Sequence, residues 1–203
     1  MTLRIALVAV ALVAGSCASD PAAAVQKPDA GQRTGTSGTA ASPAAAIVAD
    51  FHARIAKYLT VRAQAQKGAP PLKTSEDPAK IVEAQDALAA RIRALRADAK
   101  PGDVFPVDTR NHFRRLLGPE LKGEDGRDAK AVLEDDAPAP GAIPLEVNAK
   151  YPAGKPLPTV PAALLLAMPA LPMGLEYRII GKDLVLLDTE ANIIVDYIRN
   201  AIG

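Results

Sequence analysis

With one cysteine among 203 residues the chain cannot close an internal disulfide, so its folded body is held without a covalent staple even in an oxidising compartment. Tryptophan is missing and aromatics are only 3% of the chain, which leaves a core of Ala, Leu, Val and Ile with modest volume per residue. Lys and Arg number 24 against 23 Asp and Glu, a net charge of +1 that gives no field to attract nucleic acid or another polyanion. There are two histidines, His52 and His112, and no Cys/His cluster with metal-ligand spacing. Gly-x-Ser-x-Gly, His-Glu-x-x-His and a phosphate-cradling glycine loop are all lacking, so no cofactor is expected. Catalysis would have to come from acids that meet in space, and pairs such as Glu124-Asp125 and Asp135-Asp136 sit in polar stretches where solvated charge is the ordinary account.

What is present begins at the N-terminus. Arg4 precedes a nine-residue apolar run, Ile5 to Val13, followed by Ala14-Gly15-Ser16-Cys17. At 1.5 Å per residue that run covers about 14 Å, half of a ~30 Å hydrocarbon core, so it reads as a secretory signal over residues 1–16 and not as a mature span. Small residues directly before the single cysteine resemble the lipobox of bacterial lipoproteins, with Ala14 standing where most lipoboxes carry Leu or a β-branched residue. The resemblance implies that Cys17 becomes the acylated first residue of the mature chain. Ordinary cleavage after Ser16 or Ala18 is the competing reading, and it would leave a soluble periplasmic or secreted protein. Ala18 after the cysteine, in place of Asp, points a lipoprotein to the periplasmic face of the outer membrane. Later apolar runs such as Val160 to Leu171 are short or broken by proline.

Residues 18–41 are Ala, Gly, Ser, Thr, Gln and Pro with hardly a large apolar side chain. Such a stretch cannot offset its ordering entropy, and as a 24-residue tether it has a root-mean-square reach of about 27 Å. From Ser42 onward a single α+β domain is expected. Ser42-Pro43 pairs an N-cap with proline at the first helical position, and Ile47, Phe51, Ile55, Tyr58, Leu59 and Arg62 recur at three and four until Gly68 and Pro70-Pro71. Asp77-Pro78 opens a second helix with Ile81, Leu88, Ile92, Leu95 and Ala99 on one face, stopped by Lys100-Pro101-Gly102, and the two form an antiparallel amphipathic hairpin. A short third helix, Val107 to Leu117, ends at Gly118-Pro119.

The Pro-rich middle, 119–174, reads as irregular: a loop over Gly123 to Asp128, a turn or two of helix over Ala129 to Glu134, and a short strand with Ile143, Leu145 and Val147 alternating. A brief helix falls within Thr159 to Ala167. A three-stranded antiparallel meander closes the chain over 175–200. Leu175 to Ile180 and Asp183 to Leu187 flank Gly181-Lys182, which suits a type II′ hairpin, and Ile193-Ile194-Val195 is the third strand. A helix over Thr189 to Asn200, capped by Asp188, is the alternative, with Ile-Ile-Val favouring strand. Leu184-Val185-Leu186-Leu187 is apolar on both faces and belongs in the centre, with the helical hairpin covering one face.

The run Glu176-Tyr177-Arg178-Ile179-Ile180-Gly181, then Leu184-Val185-Leu186-Leu187-Asp188, then Ile194-Val195-Asp196-Tyr197-Ile198, resembles a C-terminal motif of small exported bacterial proteins without an assigned activity. More loosely it is similar to the end of the periplasmic nickel and cobalt homeostasis regulators. The resemblance spans 175–198 and implies an envelope location; it carries no metal-binding role to any residue. Asp108 and His112 are four apart and would share a helix face, where a local hydrogen bond or ion pair is the simpler account.

Arg91, Arg93, Arg96, Arg110, Arg114 and Arg115 are interspersed with Glu83, Asp86 and Asp98, as on the exposed side of amphipathic helices. Arginine and tyrosine are enriched at binding hot spots, which singles out Arg91, Arg114, Arg115, Tyr177 and Tyr197 as partner contacts for an envelope protein or glycan. The leading functional expectation is a binding or scaffolding module held at the membrane by a lipid; the alternative is an envelope hydrolase or metal-handling protein using acidic residues. Metabolic labelling with a fatty acid should mark the wild type and lose the label entirely in Cys17→Ser. Equal labelling of both, or a mature terminus beyond Cys17, would refute acylation.

Overall fold

In the computed structural model Ser42 Oγ accepts from Ala45 N–H at 3.2 Å and Pro43 takes the first helical position, so α1 (Pro43–Gln66) starts where its cap chemistry places it. The described residues are 42–71, 77–135, 137–139, 141–152, 154–155 and 157–203. The signal, Cys17 and the tether lie outside them. Asp77 caps α2 (Pro78–Leu95) in the same way, accepting from Ala79 N–H at 3.0 Å. Arg91 reaches the carbonyl of Ala65, Arg96 stacks on the Tyr58 ring, and Arg54 reaches the carbonyl of Asp103. As α2 and its exit run forward, their α1 partners run backward, so the hairpin is antiparallel as expected. None of the described helices is long and apolar enough to cross a membrane.

The C-terminal segment is the expected meander: β1 (Leu175–Ile180), β2 (Asp183–Asp188) and β3 (Ile193–Ile198), antiparallel, with β2 central. Gly181 has φ +61° and Lys182 does not share that sign, which is the pattern a type II′ turn needs. Asp188 Oδ1 does accept the N–H groups of Glu190 and Ala191, as a helix cap would. Asn192, at φ +50°, then turns the chain out of helical sense and into β3, so the helix alternative fails. Phe51, Ile55, Tyr58, Leu88, Ile92, Phe113 and Leu117 from the helices meet Tyr177, Ile179, Leu184, Leu186, Ile193 and Val195 on one sheet face. Phe51, Phe105 and Phe113 pack ring on ring with centroids 5.2 to 5.7 Å apart, which concentrates the scarce aromatic volume at one point.

Four expectations are corrected. The second helix ends at Leu95, one turn before Lys100, because Arg96 (φ −124°, ψ 39°) leaves the helix to donate to Asn148 Oδ1 and the carbonyl of Val195; Leu95 is left 43% exposed instead of in the core stripe. The third helix, α3 (Val107–Glu120), passes through Gly118-Pro119. A proline in the last turn forfeits only one helical N–H, and glycine before it lacks the Cβ that would clash. Gly123 to Asp128 is not a loop but the start of α4 (Gly123–Asp135). Its Ala129 and Leu133, both buried, face the core four residues apart, and Gly126 lets the backbone pass so close to the Leu121 carbonyl that a Cβ there would clash with it. The brief helix is α5 (Ala162–Ala167), with Pro161 as its N-cap.

Fourth, Ile143, Leu145 and Val147 form no strand. Pro144 cannot donate to a ladder and Asn148, at φ +64°, reverses the chain, so this stretch meets β3 only at the single bridge Lys150–Ile193 and through bonds such as Asn148 N–H to Ile194 O at 2.7 Å. Instead Ile143, Leu145 and Tyr151 cover the second sheet face, against Val185, Leu187 and Ile194. That explains why β2 is apolar on both faces.

Pairing of β2 with β3 slips between Leu186 and Leu187: Leu186 opposes Asp196 and Leu187 opposes Ile194, leaving Val195 as the extra residue of a bulge. The slip turns Asp196 toward the helices. There its fully buried carboxylate accepts from the N–H groups of Gly102, Val104 and Phe105 at 2.8 to 3.1 Å, and Gly102 reaches this arc at φ +98°. Removing that acceptor leaves several buried donors unmet, at about 1–3 kcal/mol each. Asp196→Ala should therefore lower unfolding free energy by about 3–5 kcal/mol in urea titration, with Asp196→Asn about half as costly and the exposed Asp135→Ala within about 0.5 kcal/mol of wild type. Equal stability of Asp196→Ala and wild type would show that the arc is held by something else.

Candidate binding cleft

Helix α1 and the exit of α2 diverge where Arg96 leaves the helix, and between them lies a cleft of about 330 Å³. Its lining combines the apolar Val61, Leu95 and Val104 with the charged Arg54, Lys57, Arg96, Asp98 and Asp103. Burial lowers the Arg96 pKa, but the guanidinium remains a cation, held 4.9 Å over the Tyr58 ring centroid and bonded to Asn148. Arg54 is pinned by Asp50 and by the Asp103 carbonyl. Lys57 and Asp98 are exposed and free to engage a partner of either sign. Behind the cleft, Tyr58 donates to Asp188 Oδ2 at 2.6 Å, and its pKa is pushed far up by burial first and then by the Asp188 charge. Arg62, also against Asp188 at 3.4 Å, completes a buried group that ties α1 to the β2–β3 turn.

The residues singled out from sequence lie apart from one another. Arg91 is exposed but its Nε donates to Ala65 O at 3.0 Å, closing the end of the helical hairpin. Arg114 clasps the exit of β3 through the carbonyls of Arg199 and Asn200 at 2.8 and 3.2 Å. Arg115 is exposed on α3. Tyr177 is 5% exposed, its hydroxyl donating to Pro169 O at 3.0 Å and its pKa raised by burial, so it serves the core. Tyr197 lies half-buried on the opposite sheet face, beneath the Arg199 guanidinium at 5.0 Å. The cleft itself was not read from sequence. Its one signal is Leu95, an apolar residue at helical spacing in the last residue of its helix, where the backbone departs before the side chain can be covered.

His52 is exposed and His112 is buried, with Asp108 exposed on the same helix. Among the described residues no group of three or more His, Cys, Asp and Glu is placed to hold a metal ion. Burial, and secondarily the Arg115 charge, hold His112 below the usual imidazole range. Below about pH 6.5 the unfolded chain then binds a proton that the folded chain resists. The stability from neutral His112 is thus complete above that pH and is lost as pH falls toward the folded pKa. Melting temperature should drop between about pH 7.5 and 5.5, and the drop should be smaller in His112→Gln; parallel profiles would assign it to other groups.

No family model, curated protein or solved structure matches this chain, so the reading of its surfaces rests on its own residues.

Proposed function

We propose that the protein is an exported, lipid-anchored module of the bacterial envelope that binds a protein partner through the α1–α2 cleft. The observation that carries the reading is the make-up of that cleft: Leu95, 43% exposed, shares its lining with Arg54, Lys57, Asp98 and Asp103. Exposed apolar surface set among charged side chains is what protein interfaces use, and charges of both signs fit a polypeptide better than a uniformly anionic glycan. Envelope location is supported by the signal-like start, by Gly15-Ser16-Cys17 and by the C-terminal resemblance to exported proteins.

A photoreactive amino acid at Leu95 should give one discrete adduct in the native envelope. Lys57→Glu should reduce that adduct at least about fivefold, the effect of losing roughly 1 kcal/mol at an interface, while leaving the melting temperature unchanged. No adduct from Leu95, or the same adduct from the exposed Val132 on α4, would exclude the cleft as the binding face.

A further inference from the structure

From Pro156 to Leu175 the chain has no ionisable side chain. Within that stretch Leu164 and Met168 are buried in the core, but Leu166 is 87% exposed and Met173 is 91% exposed, with Leu165 at 45%. A hollow of about 360 Å³ lies between α5 and β1, lined by Leu165, Pro169, Ala170, Leu171 and Leu175 together with Tyr177 and the mutually paired Glu176 and Arg178. Elsewhere the described body keeps its large apolar residues far better covered, the next most exposed being Val107 at 58%. Two large apolar side chains standing in water within one uncharged stretch mark a contact surface.

We infer that this face, led by Leu166 and Met173, rests on the lipid bilayer from which the protein is tethered. The inference builds on the lipid-anchor reading above. Three observations select a lipid surface as the occupant. Leu166 and Met173 project almost wholly beyond the surface; a rigid protein partner would need matching sockets for them, whereas acyl chains close around a projecting side chain without prior fit. No residue from Pro156 to Leu175 is ionisable, and the charges beside the hollow and the Met173 carbonyl are paired, Glu176 with Arg178 and Glu190 with Arg62, so contact with the hydrocarbon boundary there strands no lone charge, which a membrane penalises heavily. The chain also has the reach: Arg62 Nη2 bonds the Met173 carbonyl at 3.1 Å, which places Met173 beside a point on α1 about 30 Å along the helix from Ser42. Residues 18–41 extend to at most about 80 Å, so Cys17 in the bilayer and Met173 on it are compatible. The tether segment has almost no large apolar side chains and is a poor occupant of the hollow itself.

The strength required is small. Burying one Leu or Met side chain shifts a partition equilibrium by about tenfold to a hundredfold, and a short flexible linker supplies an effective concentration of order millimolar. Two such side chains suffice for an anchored molecule to lie down, and not for a free one to be captured from solution.

The chain lacks tryptophan, so a single substituted indole is a unique reporter. The full mature chain is coupled through Cys17 to a maleimide phospholipid in phosphatidylcholine vesicles, with or without brominated acyl chains, which quench only indoles that enter the hydrocarbon. Leu166→Trp and Met173→Trp should lose emission on the brominated vesicles, while Val82→Trp on α2 keeps it; untethered chains should show no loss in any variant. Unquenched indoles at 166 and 173, or equal quenching of all three, would overturn the inference. Self-association of untethered wild type that Leu166→Asp abolishes would also overturn it, by assigning the face to a second copy. Because the tether is chemical, failure of acylation in cells and failure of this contact are read separately.

Discussion

The arrangement depends on where one carboxylate points. Without the bulge at Val195, Asp196 would alternate onto the second sheet face, among Val185, Leu187 and Ile194, with a charge and no donors. With it, Val195 and Asp196 both face the helices, and the carboxylate gathers the N–H groups of the turn between α2 and α3. The same inserted residue presents its carbonyl to Arg96, which leaves α2 to reach it. One slip in register therefore sets the end of α2, the entry to α3, the exposure of Leu95 and hence the cleft. A bulge costs a local ladder hydrogen bond, and here the arc of donors repays the loss in directional contacts.

A chain with few aromatics and no disulfide must join its parts by other means, and this one uses arginine on backbone carbonyls. Arg54, Arg62, Arg91, Arg93, Arg96 and Arg114 each donate to a carbonyl distant in sequence: Asp103, Met173, Ala65, Asn148, Val195 and Asn200. The planar guanidinium suits this role because its forked donors satisfy acceptors at loop ends while its stem packs on apolar surface. Most of these arginines look, from sequence, like a solvated basic face. In the fold Arg91, Arg93, Arg96 and Arg114 are clasps, each donating to a backbone carbonyl.

Local signals in the chain were readable wherever the chemistry was local. Ser42-Pro43, Asp77-Pro78 and Gly181-Lys182 start or reverse elements by contacts within a few residues, and the meander follows from β-branched runs around them. The misread segments are those decided at long range. Gly123 to Asp128 has poor helix propensity, and its helix forms because Ala129 and Leu133 find the core. Ile143 and Leu145 alternate like a strand but serve as a cover for one, a role that the flanking prolines permit and no period distinguishes. Asp188 and Asp196 are ordinary polar positions in a strand pattern; only the folded chain shows that both are fully buried, one against Tyr58 and Arg62, the other against backbone donors.

The two exposed features have the same origin as the misreadings. Leu95 and Leu166 each fall in the last two residues of a helix whose chain then departs, Leu95 before Arg96 and Leu166 before the proline-punctuated run to Gly174. In each case the apolar period continues past the point where the backbone can deliver it to the core. A sequence reading assigns such residues to the interior because the period does. The exposure follows from geometry imposed by distant partners, Val195 for Arg96 and Arg62 for the Met173 carbonyl. Surfaces of this kind are produced by the fold as a whole, and no local period in the sequence marks them.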